Sequence, residues 1–145
     1  MRPLLALSNA IDTLNEKIGY VCNLLVLFAC LVSAANAMIR YAFDNSSNAW
    51  LELQWYLFAA TVMLGASYVL KLNEHVRVDV VYGRLSGTRR AWIDLLGMIV
   101  FLMPGAVLMV WMSTPWFLEA FTHGEMSSNA GGLIRWPVKL TVPLG

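Results

Sequence analysis

The side chains able to do chemistry are few and poorly spaced for it. The two cysteines, Cys22 and Cys30, sit in one apolar run. On a helix they stand about 12 Å apart along the axis, too far to bridge. The two histidines, His75 and His123, fall in loop-like stretches. A membrane haem needs axial ligands projecting from apolar helices, and neither histidine offers one. No nucleophile sits beside a base, no carboxylates are paired, no glycine loop suits a phosphate, and no His, Cys, Asp or Glu has metal-ligand spacing. Glu52 stands at the mouth of an apolar run, where an acid favours a helix N-terminus. The chain reads as non-catalytic and without a cofactor of its own.

The elements that hold these residues are announced by composition. Of 145 residues, 59% are hydrophobic and 13% charged, with a mean hydropathy of +0.62. A soluble domain has about 45–50% apolar and about 25% charged residues, and one of this size cannot hide so much apolar surface in a single core. The formal net charge of +1 leaves no basic field for nucleic acid. An all-α integral membrane protein is the fold class that fits.

Charge-free intervals mark three spans: 22 residues at 18–39, 18 at 53–70 and 24 at 95–118. As helices they measure about 33, 27 and 36 Å, against a hydrocarbon core of about 30 Å. Helix is forced there, because unpaired backbone groups in lipid cost several kcal/mol each. Trp50, Trp92, Trp116 and Trp136 fall at or just beyond segment ends, as an aromatic belt does. Lys and Arg divide seven to three between the two sides, which puts the N-terminus in the cytoplasm. Ala35-Asn36-Ala37 resembles a signal-peptide cleavage site, but the apolar run before it exceeds the usual 7–15 residues.

Before the first span, residues 3–17 read as an amphipathic helix. Leu4, Leu7, Ile11, Leu14 and Ile18 recur at helical spacing. The pattern suits either a surface-lying helix or a lead-in to the span. Within the span, Asn23, Cys30, Ser33, Ala34 and Ala37 share an arc of about 100°. Small residues on one face let helices approach, so this face is expected to meet another helix. No Asp, Glu, Lys, Arg or His lies inside the three intervals, and such residues mark ion and substrate paths. An autonomous proton-coupled pump is therefore disfavoured. Pro104 is expected to bend the third span. In the inner loop, Val76, Val78 and Val80 alternate with His75, Arg77 and Asp79, which suggests an extended stretch.

Trp50, Glu52, Gln54 and Trp55 open the second span, Leu57, Phe58, Gly65 and Ala66 follow, and the run Asn73-Glu-His-Val-Arg-Val-Asp79 comes after it. Arg89 and Arg90 precede the third span, and Trp136-Pro137 leads to Pro143-Leu-Gly145. This ordered set resembles the small membrane subunit (DctQ type) of TRAP transporters, the tripartite ATP-independent periplasmic transporters. The resemblance covers most of the chain and is most specific over residues 50–90. It implies a scaffold subunit beside a large membrane subunit that moves an organic acid or similar solute, usually with sodium. A periplasmic binding protein delivers the solute, and the bilayer is the remaining partner. The location implied is the bacterial or archaeal inner membrane. Partner or scaffold contacts are expected at Ser33, Ala37, Trp50, Glu52, His75, Arg77, Asp79, Asn129 and Trp136. The family has four spans, so residues 137–145 are expected to begin a fourth that continues past Gly145. The alternative is a small anchor for another inner-membrane complex, such as a respiratory enzyme.

The charge count predicts that Asn73 faces the cytoplasm and Ser46 the outside. Single cysteines at these positions, in a background lacking Cys22 and Cys30, test it in intact cells. An impermeant thiol reagent should label position 46 and spare position 73; the reverse pattern overturns the orientation.

Overall fold

The computed structural model describes residues 2–44, 47–74, 82–83 and 85–145. It has four helices among them: α1 (Arg2–Phe43), α2 (Asn48–Leu72), α3 (Gly87–Thr122) and α4 (Trp136–Leu144). Three stretches, Leu5–Phe43, Asn48–Leu72 and Gly87–Thr122, are long and apolar enough to cross a membrane. They contain the three charge-free intervals. The protein is an all-α membrane protein whose inner-loop residues His75, Arg77 and Asp79, and the extended stretch expected there, lie outside the described residues.

No break separates the amphipathic residues 3–17 from the first span. Pro3 occupies the first turn, where its missing N–H has no helical role. No later proline interrupts the helix. The 42 residues of α1 extend about 63 Å, twice the hydrocarbon thickness. Leu5, Leu7, Ile11 and Leu14 remain exposed along it.

α1 and α2 form an antiparallel pair whose tightest contact is made by glycine. A methyl group on Gly19 would stand 2.7 Å from Cγ of Tyr68, so the ring lies directly on the α1 backbone. Gly65 of α2 faces Cys22, whose Sγ would be 3.4 Å from an added Cβ. Val32 and Asn36 are also buried. The buried face of α1 thus runs through Gly19, Cys22, Val32 and Asn36. The face expected from small residues lies about 100° around the helix. Asn23, Cys30, Ser33, Ala34 and Ala37 are all exposed on it. The aromatic ring that needed a side-chain-free backbone chose the face.

At the C-terminal end of α2, polar ties close the pair. Lys71 Nζ donates to Glu16 Oε1 at 2.9 Å and to the Asp12 carbonyl at 3.3 Å. Ser67 Oγ donates to Asn15 Oδ1 at 3.1 Å. Asn73 ends α2 in the left-handed region, φ 60°. There Asn73 N–H bonds to the Leu70 carbonyl and Glu74 N–H to that of Val69, which satisfies carbonyls the helix end would strand.

Pro104 is accommodated by a wider turn. Residues Met98–Leu102 form a π-helical turn, and Met103 N–H bonds to the Met98 carbonyl, five residues back. A proline has no donor and its ring crowds the carbonyl four residues earlier. Inserting one extra residue per turn just before it relieves that crowding. At the N-terminal end of α3, Tyr82 Oη donates to Asp94 Oδ2 at 2.6 Å and Arg90 Nη2 to the Gly83 carbonyl at 2.7 Å. α4 packs against both α3 and α2. It covers most of the segment read as the start of a fourth span.

The two glycines of the α1–α2 contact should differ in tolerance. Gly19→Ala must displace the Tyr68 ring and is expected to destabilise by about 1–3 kcal/mol. Gly65→Ala makes an ordinary contact with Cys22 and removes an interior helical glycine, so it should be neutral or stabilising by up to about 1 kcal/mol. Thermal unfolding of the purified variants, read side by side, checks the order; equal losses would overturn it.

Candidate functional site

The C-terminal end of α3 delivers the chain into a short, folded loop. Gly124, φ 58°, terminates the helix. The Glu125 N–H then reaches back to the Ala120 carbonyl at 3.0 Å. Residues 125–127 and 133–135 run antiparallel. Ser127 N–H bonds to the Leu133 carbonyl at 2.9 Å and Arg135 N–H to the Glu125 carbonyl at 2.8 Å. Met126 and Ile134 face each other between these bonds. The tip closes through Gly132 N–H to the Asn129 carbonyl at 3.0 Å. Gly131 takes φ 70° in this turn, a value suited to glycine. At Gly132 any side chain would strike Ser127.

Glu52 holds this loop. Its residue is only 4% exposed, and its carboxylate accepts three hydrogen bonds from the loop. The donors are the Ser127 hydroxyl, Asn129 Nδ2 at 2.8 Å and the Leu133 N–H at 2.6 Å. One turn earlier on the same face of α2, Asn48 Nδ2 donates to the Ala130 carbonyl at 3.0 Å. Glu52 lies beyond the first turn of α2, which contains no acid. Its role is therefore to bind the loop, rather than to set a charge at the helix end. All three of its partners are donors, so an acceptor-only group is what the site requires.

A second acid fastens α4. Glu125 pairs with Lys139 Nζ, and Arg135 Nη1 lies 3.6 Å from its other oxygen. Lys139 is 6% exposed and its ammonium sits 4.4 Å from the centroid of the Trp116 ring, a cation–π placement. The hydrogen bond from Lys139, helped by the charges of Lys139 and Arg135 against a smaller desolvation effect, holds the Glu125 carboxyl below its ordinary range. The stability this contributes is present above the unfolded carboxyl's pKa and is lost as pH falls through the lowered folded value. Trp136 packs edge-on against Phe121, centroids 5.5 Å apart at 89°.

A cavity of about 220 Å³ lies where these groups meet, with Glu52, Tyr56, Trp116, Arg135 and Lys139 in its wall. Both carboxylates are engaged by protein donors, so the arrangement is built to fix a loop. Among the described residues, no three His, Cys, Asp or Glu side chains converge to hold a metal ion.

Of the residues expected to make contacts, Glu52 and Asn129 meet directly, and Trp136 sits at the base of the same assembly. Trp50 is 42% exposed at the outer end of α2. Ser33 and Ala37 are exposed on α1, apart from this site. Reading the sequence alone missed Asn48, Glu125, Ser127, Leu133 and Lys139. The spacing of Asn48 and Glu52 was an available signal. So was Lys139, which lies among apolar residues and needs a counter-ion. It is buried against Glu125.

Glu52→Gln presents an N–H₂ to a set of donors, and Glu52→Ala removes the acceptor altogether. Both are expected to free the loop. Limited proteolysis of the purified protein should cut within residues 123–135 roughly tenfold faster or more in either variant, as a locally opened segment does. Lowering the pH well into the acid range should free α4's attachment in the unsubstituted protein. Unchanged cleavage in both variants would overturn the role of Glu52.

A search of curated proteins and a search of solved structures returned no match. A family model described as "Tripartite ATP-independent periplasmic transporters, DctQ component" matches residues 29–145. That stretch takes in the outer part of α1, the whole α2–α4 assembly and the loop held by Glu52. The chain belongs to the DctQ family, the small membrane component of TRAP transporters.

Proposed function

We propose that this chain is a non-catalytic scaffold subunit of a TRAP secondary transporter in a bacterial or archaeal inner membrane, with its N-terminus in the cytoplasm. It works beside a large membrane subunit and a periplasmic binding protein. The solute is an organic acid or similar small molecule, and its import is coupled to an ion gradient, with sodium bound in the large subunit. The observation that carries the reading is the use made of Glu52. The buried acid of the membrane helices is occupied by three donors from the chain's own loop. A charged group that serves transport faces an ion or substrate path. Here the charge is committed to shape.

A loop fixed in this way presents a constant outer surface. Such a surface suits a subunit that keeps its place while another moves, and one that receives a periplasmic protein. Arg77 and Asp79 are assigned to assembly on the inner side. Paired only with each other in water they would contribute about 0–1 kcal/mol.

Reconstitution into liposomes tests the reading. The small subunit alone is expected to move no solute under a sodium gradient. Uptake should appear only with the large subunit and the binding protein present. Sodium-dependent uptake by the small subunit alone would overturn it.

A further inference from the structure

We infer that the part of α1 lying beyond its charge-free interval, residues 2–17, pairs in parallel with the same residues of a second copy of this chain. The inference goes beyond the scaffold reading. It concerns how two such subunits meet, whatever solute their transporters carry.

α1 runs unbroken from Arg2 to Phe43, so residues 2–17 form a rod of about 24 Å continuous with the span. Leu4, Leu7, Ile11, Leu14 and Ile18 follow one another at steps of three, four, three and four residues. That alternation is the seam of a two-stranded coiled coil, narrower than the stripe of a helix buried in a core. Leu7, Ile11 and Leu14 are 58%, 50% and 57% exposed, and among the described residues nothing covers them. α2 does not compete for the seam. Its last polar ties go to Asp12, Asn15 and Glu16, which lie about 120° around α1 from it. Past Lys17 the same spacing reaches Val21 and Phe28, both also exposed. The seam is therefore open where it enters the apolar interval.

A lipid surface does not suit this rod. A helix continuous with a span leaves the bilayer along the span's direction, and helices that lie in the interface carry an excess of Lys and Arg. Here Arg2 and Lys17 are balanced by Asp12 and Glu16. A second copy does suit it. Ile11 and Ile18 occupy one of the two seam positions and Leu7 and Leu14 the other. β-branched residues at the first with leucine at the second favour two parallel strands. Copies in one bilayer share one orientation, so a twofold axis along the membrane normal brings like seams together. The flanking Ser8, Ala10 and Asn15 are uncharged. Lys17 also flanks the seam, but the Lys17 residues of a parallel pair fall on opposite sides of it. The span already holds the rod as helix, so pairing does not bear the cost of forming it.

The test uses the complete transporter in native membranes. Single cysteines replace Leu7, Leu14, Asn9 or Thr13 in a background lacking Cys22 and Cys30, and the membranes are treated with copper–phenanthroline as oxidant. Like seam positions of a parallel pair come within disulfide reach, whereas Asn9 and Thr13 face away. A disulfide-linked pair of small subunits is expected at Leu7 and Leu14, and roughly tenfold less of it at Asn9 and Thr13. In the Leu7→Cys background, Ile11→Asp puts a charge into the seam and should lower the linked pair about tenfold or more. Asn9→Asp should leave it unchanged, with equal amounts of small subunit in the membrane. Equal linking at all four positions, which is the signature of random collision, overturns the pairing, and so does its absence at the seam. An adduct at the seam that joins this chain to a different protein overturns it as well. Co-purification of the large subunit, measured in the same samples, tests the scaffold reading separately.

Discussion

A carboxylate taken out of water must be surrounded by donors, and Glu52 finds its donors in a single loop. The Ser127 hydroxyl, the Asn129 amide and the Leu133 N–H all point at it. Those three contacts define where the loop sits over α2. The position of the loop then fixes Glu125 and Arg135 at its base. Glu125 in turn meets Lys139 on α4, so the acid on α2 determines how α4 enters between its neighbours. Apolar contacts follow from that entry: Trp136 against Phe121, and Lys139 over Trp116. The polar outer end is a chain of dependencies that begins at one side chain.

Close packing governs the other half of the molecule. In a bilayer the lipid tails are as apolar as the side chains, so helices gain little from burying leucine against leucine. What distinguishes one pairing from another is how nearly two backbones can approach and which polar groups meet. The α1–α2 pair uses both. Tyr68 lies on the bare backbone at Gly19, and Lys71, Glu16, Asn15 and Ser67 join the inner ends. Among the described residues the buried apolar side chains are correspondingly few: Cys22, Val32 and Ala120. In water such a core would not hold a chain of this size together. In lipid it does not have to, because the exposed apolar faces of α1 and α3 are already in their preferred solvent.

This difference in physics explains what was legible in the sequence. The three spans could be read directly, since an uncharged run of some twenty residues in lipid has no option but helix. The face on which α1 meets α2 could not. Small residues occur on several faces of α1, and the decisive partner, Tyr68, is far away in sequence. Glu52 was noticed as a residue but misread as a helix-end charge. Its partners are 75, 77 and 81 residues away, beyond the reach of any local pattern. Lys139 was missed for a related reason: only the fold brings Glu125 to it. Family membership was legible because it rests on the order of residues along the chain, which needs no knowledge of contacts.

The two ends of the molecule are therefore held by different means. Around Glu52 and Glu125, α2, α3 and α4 are tied through charged and hydrogen-bonded groups, which are strong and directional when shielded from water. Further in, α3 passes through a π-helical turn at Met98–Leu102, and its residues from Met98 to Met112 expose their apolar side chains. A wide turn beside Pro104 lacks the regular backbone bonding that keeps a helix straight. Toward the loop, the same helix is held by Phe121 against Trp136 and by Trp116 under the Lys139 ammonium. One helix thus carries an exposed apolar stretch around its π-turn and a second stretch tied to α4.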